Sequence, residues 1–189
     1  MDKRVQKTRA AIQNAYISLV MEKKSIRITV TELARRANID RKTFYLHYDT
    51  TDDVMRDYNQ QIINKLLNIL NEQDFFTQNF NTVSLYSALN QVISEYIDFF
   101  RHIAVMSYYD LFWEQSKEAL AVTVSEMYKD KVIIPKEALN LYSRFVLTGT
   151  LETYREWLKG KLPFSLDELG RLTSEVAFRG FSPVLKSGK

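Results

Sequence analysis

The chain holds 189 residues, 46% of them hydrophobic, with 26 basic and 23 acidic side chains, two histidines and no cysteine; that suits one or two small domains with ample apolar mass for a core. The lack of cysteine excludes a disulfide framework and a thiolate zinc site, and His47 and His102 stand far apart without partners at ligand spacing, so neither metal nor cofactor is expected. Charge is uneven. Residues 1–48 carry eleven basic against four acidic side chains and the remainder fifteen against nineteen, which predicts a basic head that neutralises phosphates and an acidic body that avoids them.

Glycine and proline are scarce, and nearly every long segment has helical periodicity, so the fold class is all-α. The first helix is expected over Lys3–Lys23, with Ile12, Ala15, Tyr16 and Leu19 on one apolar stripe and a basic outer face. A second helix starts at Thr29, where the hydroxyl can accept from a first-turn amide while Glu32, three residues on, reaches back. Leu33, Ala34 and Ala37 then point inward. Asn38 ends that helix, since asparagine tolerates the left-handed conformation a tight turn requires, and Ile39 plugs the angle between the helices.

Asp40 is suited to cap a third helix that carries Arg41, Lys42 and Thr43 in its first turn and buries Phe44 and Tyr48 at i, i+4 spacing. Cations at a helix start oppose the helix dipole, so Arg41 and Lys42 are poor structural choices unless phosphates or base-edge acceptors face them. Two short helices, a tight turn and a positive charge excess outline a DNA-binding helix-turn-helix.

The run Thr29–Tyr48, followed by Val54 and Met55 in a new helix, resembles the amino-terminal domain of TetR-family (tetracycline-repressor-like) transcriptional regulators. Thr29, Leu33-Ala34, Ala37, Ile39, Thr43, Tyr45 and Tyr48 carry the likeness over roughly residues 8–56. It implies a three-helix DNA-binding head over residues 1–48 on a helical effector-binding and dimerisation body over 49–189. By residue, it implies base reading by Arg41, Lys42 and Thr43, and phosphate contacts by Tyr45, His47 and Thr29. Two departures stand out. Asn38 replaces the glycine of most relatives, and Thr51, followed by Asp52 and Asp53, occupies the place where many relatives hold a phosphate with lysine.

The body is expected to begin with a long helix, about Thr51–Asn71, carrying Val54, Tyr58, Ile62, Leu66 and Ile69. After a loop over Gln73–Thr82, a helix spans about Ser84–Arg101 and another Asp110–Lys129. Pro135 opens a helix that continues to about Gly160, with one stripe of Leu139, Tyr142, Val146, Gly149, Thr153 and Trp157 and a second of Leu147, Leu151, Tyr154 and Leu158. The last helix starts at a Ser165 cap and presents Leu166, Leu169, Thr173, Val176 and Ala177. The resemblance implies that these last two helices pair with their copies in a second subunit, an interface expected to use Leu139, Val146, Gly149, Thr153, Leu166, Leu169, Thr173 and Val176, with Gly149 and Thr150 allowing close approach. The segment Phe145–Gly160 is also similar to a carboxy-terminal domain common in regulators of this family from Gram-positive bacteria.

The aromatic residues Phe99, Tyr108, Phe112, Trp113, Tyr142 and Phe145 are the candidates for a small-molecule effector pocket between the fourth helix and the central body helices. The expected partners are therefore double-stranded DNA, a second copy of the chain and an effector. The expected function is homodimeric repression of a palindromic operator, relieved by that effector. Activation with a protein coactivator, or a non-transcriptional role in chromosome organisation, uses the same head and stays open at this point. An enzyme would need a convergent nucleophile, acid–base pair or phosphate cradle, and the chain offers scattered carboxylates only. No apolar run approaches the roughly 18 residues of a membrane span, so the expected setting is the cytoplasm.

Overall fold

The computed structural model describes residues 3–22, 27–73 and 82–180. Lys23, the expected end of the first helix, and most of the expected loop at 73–82 lie outside the described residues. Among those described there are nine α-helices and no strand: α1 Lys3–Glu22, α2 Val30–Arg36, α3 Arg41–Tyr45, α4 Thr51–Glu72, α5 Thr82–Glu95, α6 Ile97–Ala104, α7 Asp110–Tyr128, α8 Lys136–Leu158 and α9 Leu166–Arg179. None of them is long and apolar enough to cross a membrane. The chain forms two compact units, Met1–Ile62 and Ile63–Lys189.

In the first unit, α1 buries Ile12, Ala15, Tyr16, Leu19 and Val20, and α2 and α3 add Leu33, Ala34 and Phe44. Local signals set both helix starts. The Thr29 hydroxyl accepts from the Glu32 amide while the Glu32 carboxylate accepts from the Thr29 amide, closing the capping box. The Asp40 carboxylate accepts from the Thr43 amide at 2.7 Å. Between them Asn38 adopts φ 54°, and the amides of Asn38 and Ile39 donate to the carbonyls of Arg35 and Ala34. That pair of bonds is a Schellman ending, which needs a left-handed residue at Asn38.

The unit runs through Ile62, and the first turns of α4 belong to its core. Val54 and Met55 are buried. One oxygen of Asp57, Oδ2, accepts from the Tyr48 hydroxyl at 2.5 Å, from Gln13 at 2.7 Å and from Arg9 at 2.8 Å. The Arg9 guanidinium also lies 4.6 Å from the centre of the Tyr48 ring.

In the second unit, α7 and α8 form an antiparallel hairpin. Ion pairs join Glu126 to Lys136, Glu118 to Arg144, Lys117 to Glu152 and Asp110 to Arg155, the numbers falling along one helix as they rise along the other. Such pairs contribute little each; the register rests on Leu120 and Tyr128 of α7 and on Leu147, Leu151 and Tyr154 of α8, all buried. Helix α5 packs along α9, and α8 joins them through Asn90. Its Oδ1 accepts from the Tyr154 hydroxyl at 2.7 Å, and its Nδ2 donates to the Leu166 carbonyl at 3.0 Å. Gly170 sits against that amide: a Cβ there would lie 2.7 Å from Asn90 Nδ2.

Two element expectations change. The helix expected over Ser84–Arg101 is divided at Tyr96, whose backbone leaves the helical basin at φ −110° and ψ 26°. The apolar stripe continues across the break, so periodicity carries no sign of it; the Tyr96 ring stands edge-on to Phe100, 6.4 Å away, and 5.5 Å from the Lys65 ammonium. Pro135 stands at the N-cap of α8, one place ahead of its expected position.

Candidate nucleic-acid interface and body surfaces

The short α3 leaves Arg41 and Lys42 exposed and Thr43 half-buried. The Thr43 hydroxyl donates to Asp40 at 3.1 Å, which turns its polar end to the cap and leaves its methyl group for contact. Tyr45 is 49% exposed, with its ring edge-on to the buried Phe44, and His47 is half-buried beside it. Bonds from the Thr43 amide and hydroxyl hold the Asp40 carboxyl below its ordinary range, so it stays ionised at the start of the helix that carries the two cations.

Thr29 is exposed, but both of its expected phosphate donors are committed: the amide donates to Glu32 Oε2 at 3.0 Å and the hydroxyl to the same atom at 2.9 Å. Arg36 is held by Glu22, to which it donates twice, at 2.5 and 2.6 Å. That forked contact, with a further bond from Ser18, lowers the Glu22 carboxyl to about 2. Arg35 is exposed.

At the start of α4, Thr50 and Asp53 form a second capping box. The Thr50 amide and hydroxyl donate to Asp53 at 2.7 and 2.8 Å, and the Asp53 amide donates back to the hydroxyl at 3.2 Å. The departure at Thr51–Asp53 thus closes a helix end with the Asp53 carboxylate, two places after Thr51. Sequence reading missed this cap and the Asp57 junction. The first was legible in the Thr-x-x-Asp spacing; the second joins residues 44 and 48 places apart and carries no local signal.

In the body, the expected effector residues converge only in part. Phe99, Phe112 and Trp113 are buried in one aromatic cluster with Phe100, with ring centres 5.6–6.3 Å apart. Tyr108 is 38% exposed beside Tyr109 on a 3₁₀ turn at Ser107–Tyr109, and Tyr142 and Phe145 are 57% and 80% exposed on the outer face of α8. Helical spacing alone did not tell the inner face of α8 from the outer. Two nitrogens, Nε1 of Trp113 in the cluster and Nε2 of His102 on α6, are buried without a hydrogen-bond partner among the described residues. A separate groove of about 450 Å³ runs between α5 and α9, lined by Tyr86, Asn90, Gln91, Ser94, Asp167 and Arg171 among others, and includes none of the expected effector residues.

The expected dimer residues divide as well. Leu139 and Leu169 are buried within the chain's own core, and Thr150 is buried with its hydroxyl 2.8 Å from that of Tyr86. Thr153, Leu166 and Thr173 are half-buried; Val146 is half-buried too, while Gly149 and Val176 are exposed. Leu141, Tyr142, Phe145 and Gly149 form an exposed stripe on α8, with the half-buried Val146 alongside it.

Fold comparison decides the architecture. A TetR-family regulator from Syntrophomonas wolfei superposes with a TM-score of 0.76 over 97% of this chain and 99% of that one, at 11% identity. The fold is that of TetR-family transcriptional regulators. The TetR-family repressor FadR of Thermus thermophilus, in complex with lauroyl-CoA, matches with a TM-score of 0.64 over 96% of this chain and 97% of that one, at 18% identity. In sequence, an uncharacterized HTH-type transcriptional regulator of Bacillus subtilis (strain 168), YxbF, is 37% identical over 57 residues. That match spans 30% of this chain and 15% of the relative's length. No family profile matches the chain.

Proposed function

We propose that this TetR-fold chain is a sequence-specific DNA-binding transcriptional regulator that acts as a homodimer on a palindromic operator, as a repressor relieved by a small molecule. The observation that carries the reading is the capped helix α3, which offers Arg41, Lys42 and the Thr43 methyl group to one major groove while its own start lacks the negative side chains a solvated helix prefers, apart from the Asp40 cap. One such head contacts few bases. Two heads about 34–36 Å apart on one face of DNA read a palindrome, and the uncovered apolar stripe of α8 supports pairing with a second copy.

For the effector, the supporting features are the aromatic cluster of Phe99, Phe100, Phe112 and Trp113 and the buried, unpartnered Nε1 of Trp113 within it, since buried donors are normally satisfied. FadR, a relative in fold, holds an acyl-CoA. A panel of acyl-CoAs and small aromatic acids, read by melting temperature and operator release, tests this part; no shift with any of them counts against it.

The experiment for the DNA reading compares affinities for an operator selected from random duplexes and for a scrambled control. Arg41→Ala or Lys42→Ala is expected to relax preference at particular base pairs and cost about 1–3 kcal/mol where the contact is bidentate, whereas Tyr45→Phe or His47→Ala weakens both duplexes alike. Equal losses on both duplexes for all four variants overturn the assignment.

A further inference from the structure

We propose that Leu46 is a specificity-determining residue that reads the C5-methyl group of a thymine in the major groove. The inference rests on the reading of the head as a sequence-specific DNA binder and names one more side chain of that surface. Leu46 is 81% exposed, the most exposed large apolar side chain among the described residues of the first unit. Its backbone keeps helical angles, φ −72° and ψ −15°, and its amide donates to the carbonyls of Lys42 and Thr43. The side chain therefore continues the turn of α3, four residues after Lys42 and three after Thr43, on the face those two present.

Among the described residues of the head nothing rewards a leucine here. At this exposure it contributes almost nothing to the core, and its neighbours Arg41, Lys42, Tyr45 and His47 make the surface polar and basic. Leucine has no donor, so it cannot hold a phosphate or a base acceptor. The apolar group that the major groove displays is the thymine methyl, which every other base lacks. A basic surface brings the groove to α3, and the one exposed aliphatic side chain on that face is matched by that methyl.

The test uses the full-length protein and the duplex it enriches from a random library. Each thymine is replaced in turn by deoxyuridine, which keeps the Watson–Crick edge and removes only the methyl. The expected result is one position in each half-site where deoxyuridine weakens wild-type binding about fourfold per half-site, the value of one buried methyl. In Leu46→Ala that sensitivity disappears, while affinity for a scrambled duplex is unchanged. Thr43→Ser, which removes the other methyl on this face, serves as the control and must abolish sensitivity at a different thymine or at none. The proposal is overturned if Leu46→Ala retains the full deoxyuridine pattern, or if it weakens operator and scrambled duplex alike, as a contact to the sugar backbone would. Enrichment of no sequence at all overturns the underlying reading instead, and is distinguished by tight, salt-sensitive binding to every duplex or by no binding.

Discussion

Asp57 concentrates three donors on a single carboxylate oxygen and thereby ties α1, the end of the α3 segment and α4 into one head. Its hold is visible in its partners: the bond to Asp57 raises the Arg9 guanidinium, and burial, followed by the same bond, raises the Tyr48 hydroxyl. Gln13 is buried, so losing the acceptor leaves its amide short of a partner. Asp57→Ala is expected to destabilise the protein by about 1–3 kcal/mol in urea unfolding, with Asp57→Asn recovering part of the loss because it keeps an acceptor. The same variant should lower operator affinity less than Arg41→Ala does, since it touches no DNA-facing group. An Asp57→Ala variant as stable as wild type would mean that the junction is dispensable.

The helix starts of the head depend on carboxylates, and so does its response to acid. Asp40 and Asp53 are lowered mainly by bonds from Thr43 and Thr50, and Glu22 is lowered to about 2 by Arg36. A depressed carboxylate contributes stability that is complete above its unfolded value, about 4, and that is lost as pH falls through the folded value. Helicity followed by circular dichroism should therefore hold from neutral pH to about 5 and fall between about 4 and 2, with Asp40→Asn and Asp53→Asn each reducing the acid-dependent part. In the body the decisive contact is steric. The Asn90 side chain that would have to yield to a new Cβ at Gly170 is pinned by Tyr154 and Leu166, so Gly170→Ala should cost about 1–3 kcal/mol and lower the melting temperature, although alanine is the better helix former. A rise in melting temperature would show that Asn90 moves freely.

For the molecule as a whole, the uncovered stripe of α8 makes self-association the simplest account of so much exposed apolar surface. Phe145, 80% exposed, has little to do within its own chain. Phe145→Glu is expected to convert a dimer to a monomer in sedimentation equilibrium with little change in the helical signal, and to reduce operator affinity by removing the second head. A variant that still sediments as a dimer would place the interface elsewhere. The proposed DNA-binding role accords with the charge split, a basic excess in residues 1–48 and an acidic excess in the rest.

Residues close in sequence spoke for themselves. The Thr29–Glu32 box, the left-handed Asn38, the Asp40 cap, the Ser165 cap and the buried pair Phe44 and Tyr48 were legible because a cap or a turn is written within three or four positions, and the all-α class followed from periodicity. Tertiary packing settled the rest: the Asp57 junction and the Asn90–Gly170 contact join side chains brought together from distant places. The two stripes of α8 show the boundary most clearly. Periodicity can say that a helix has two apolar faces, but which one meets the core depends on what stands opposite; the neighbouring helices took Leu139, Leu147, Leu151 and Tyr154 and left Tyr142 and Phe145 outside.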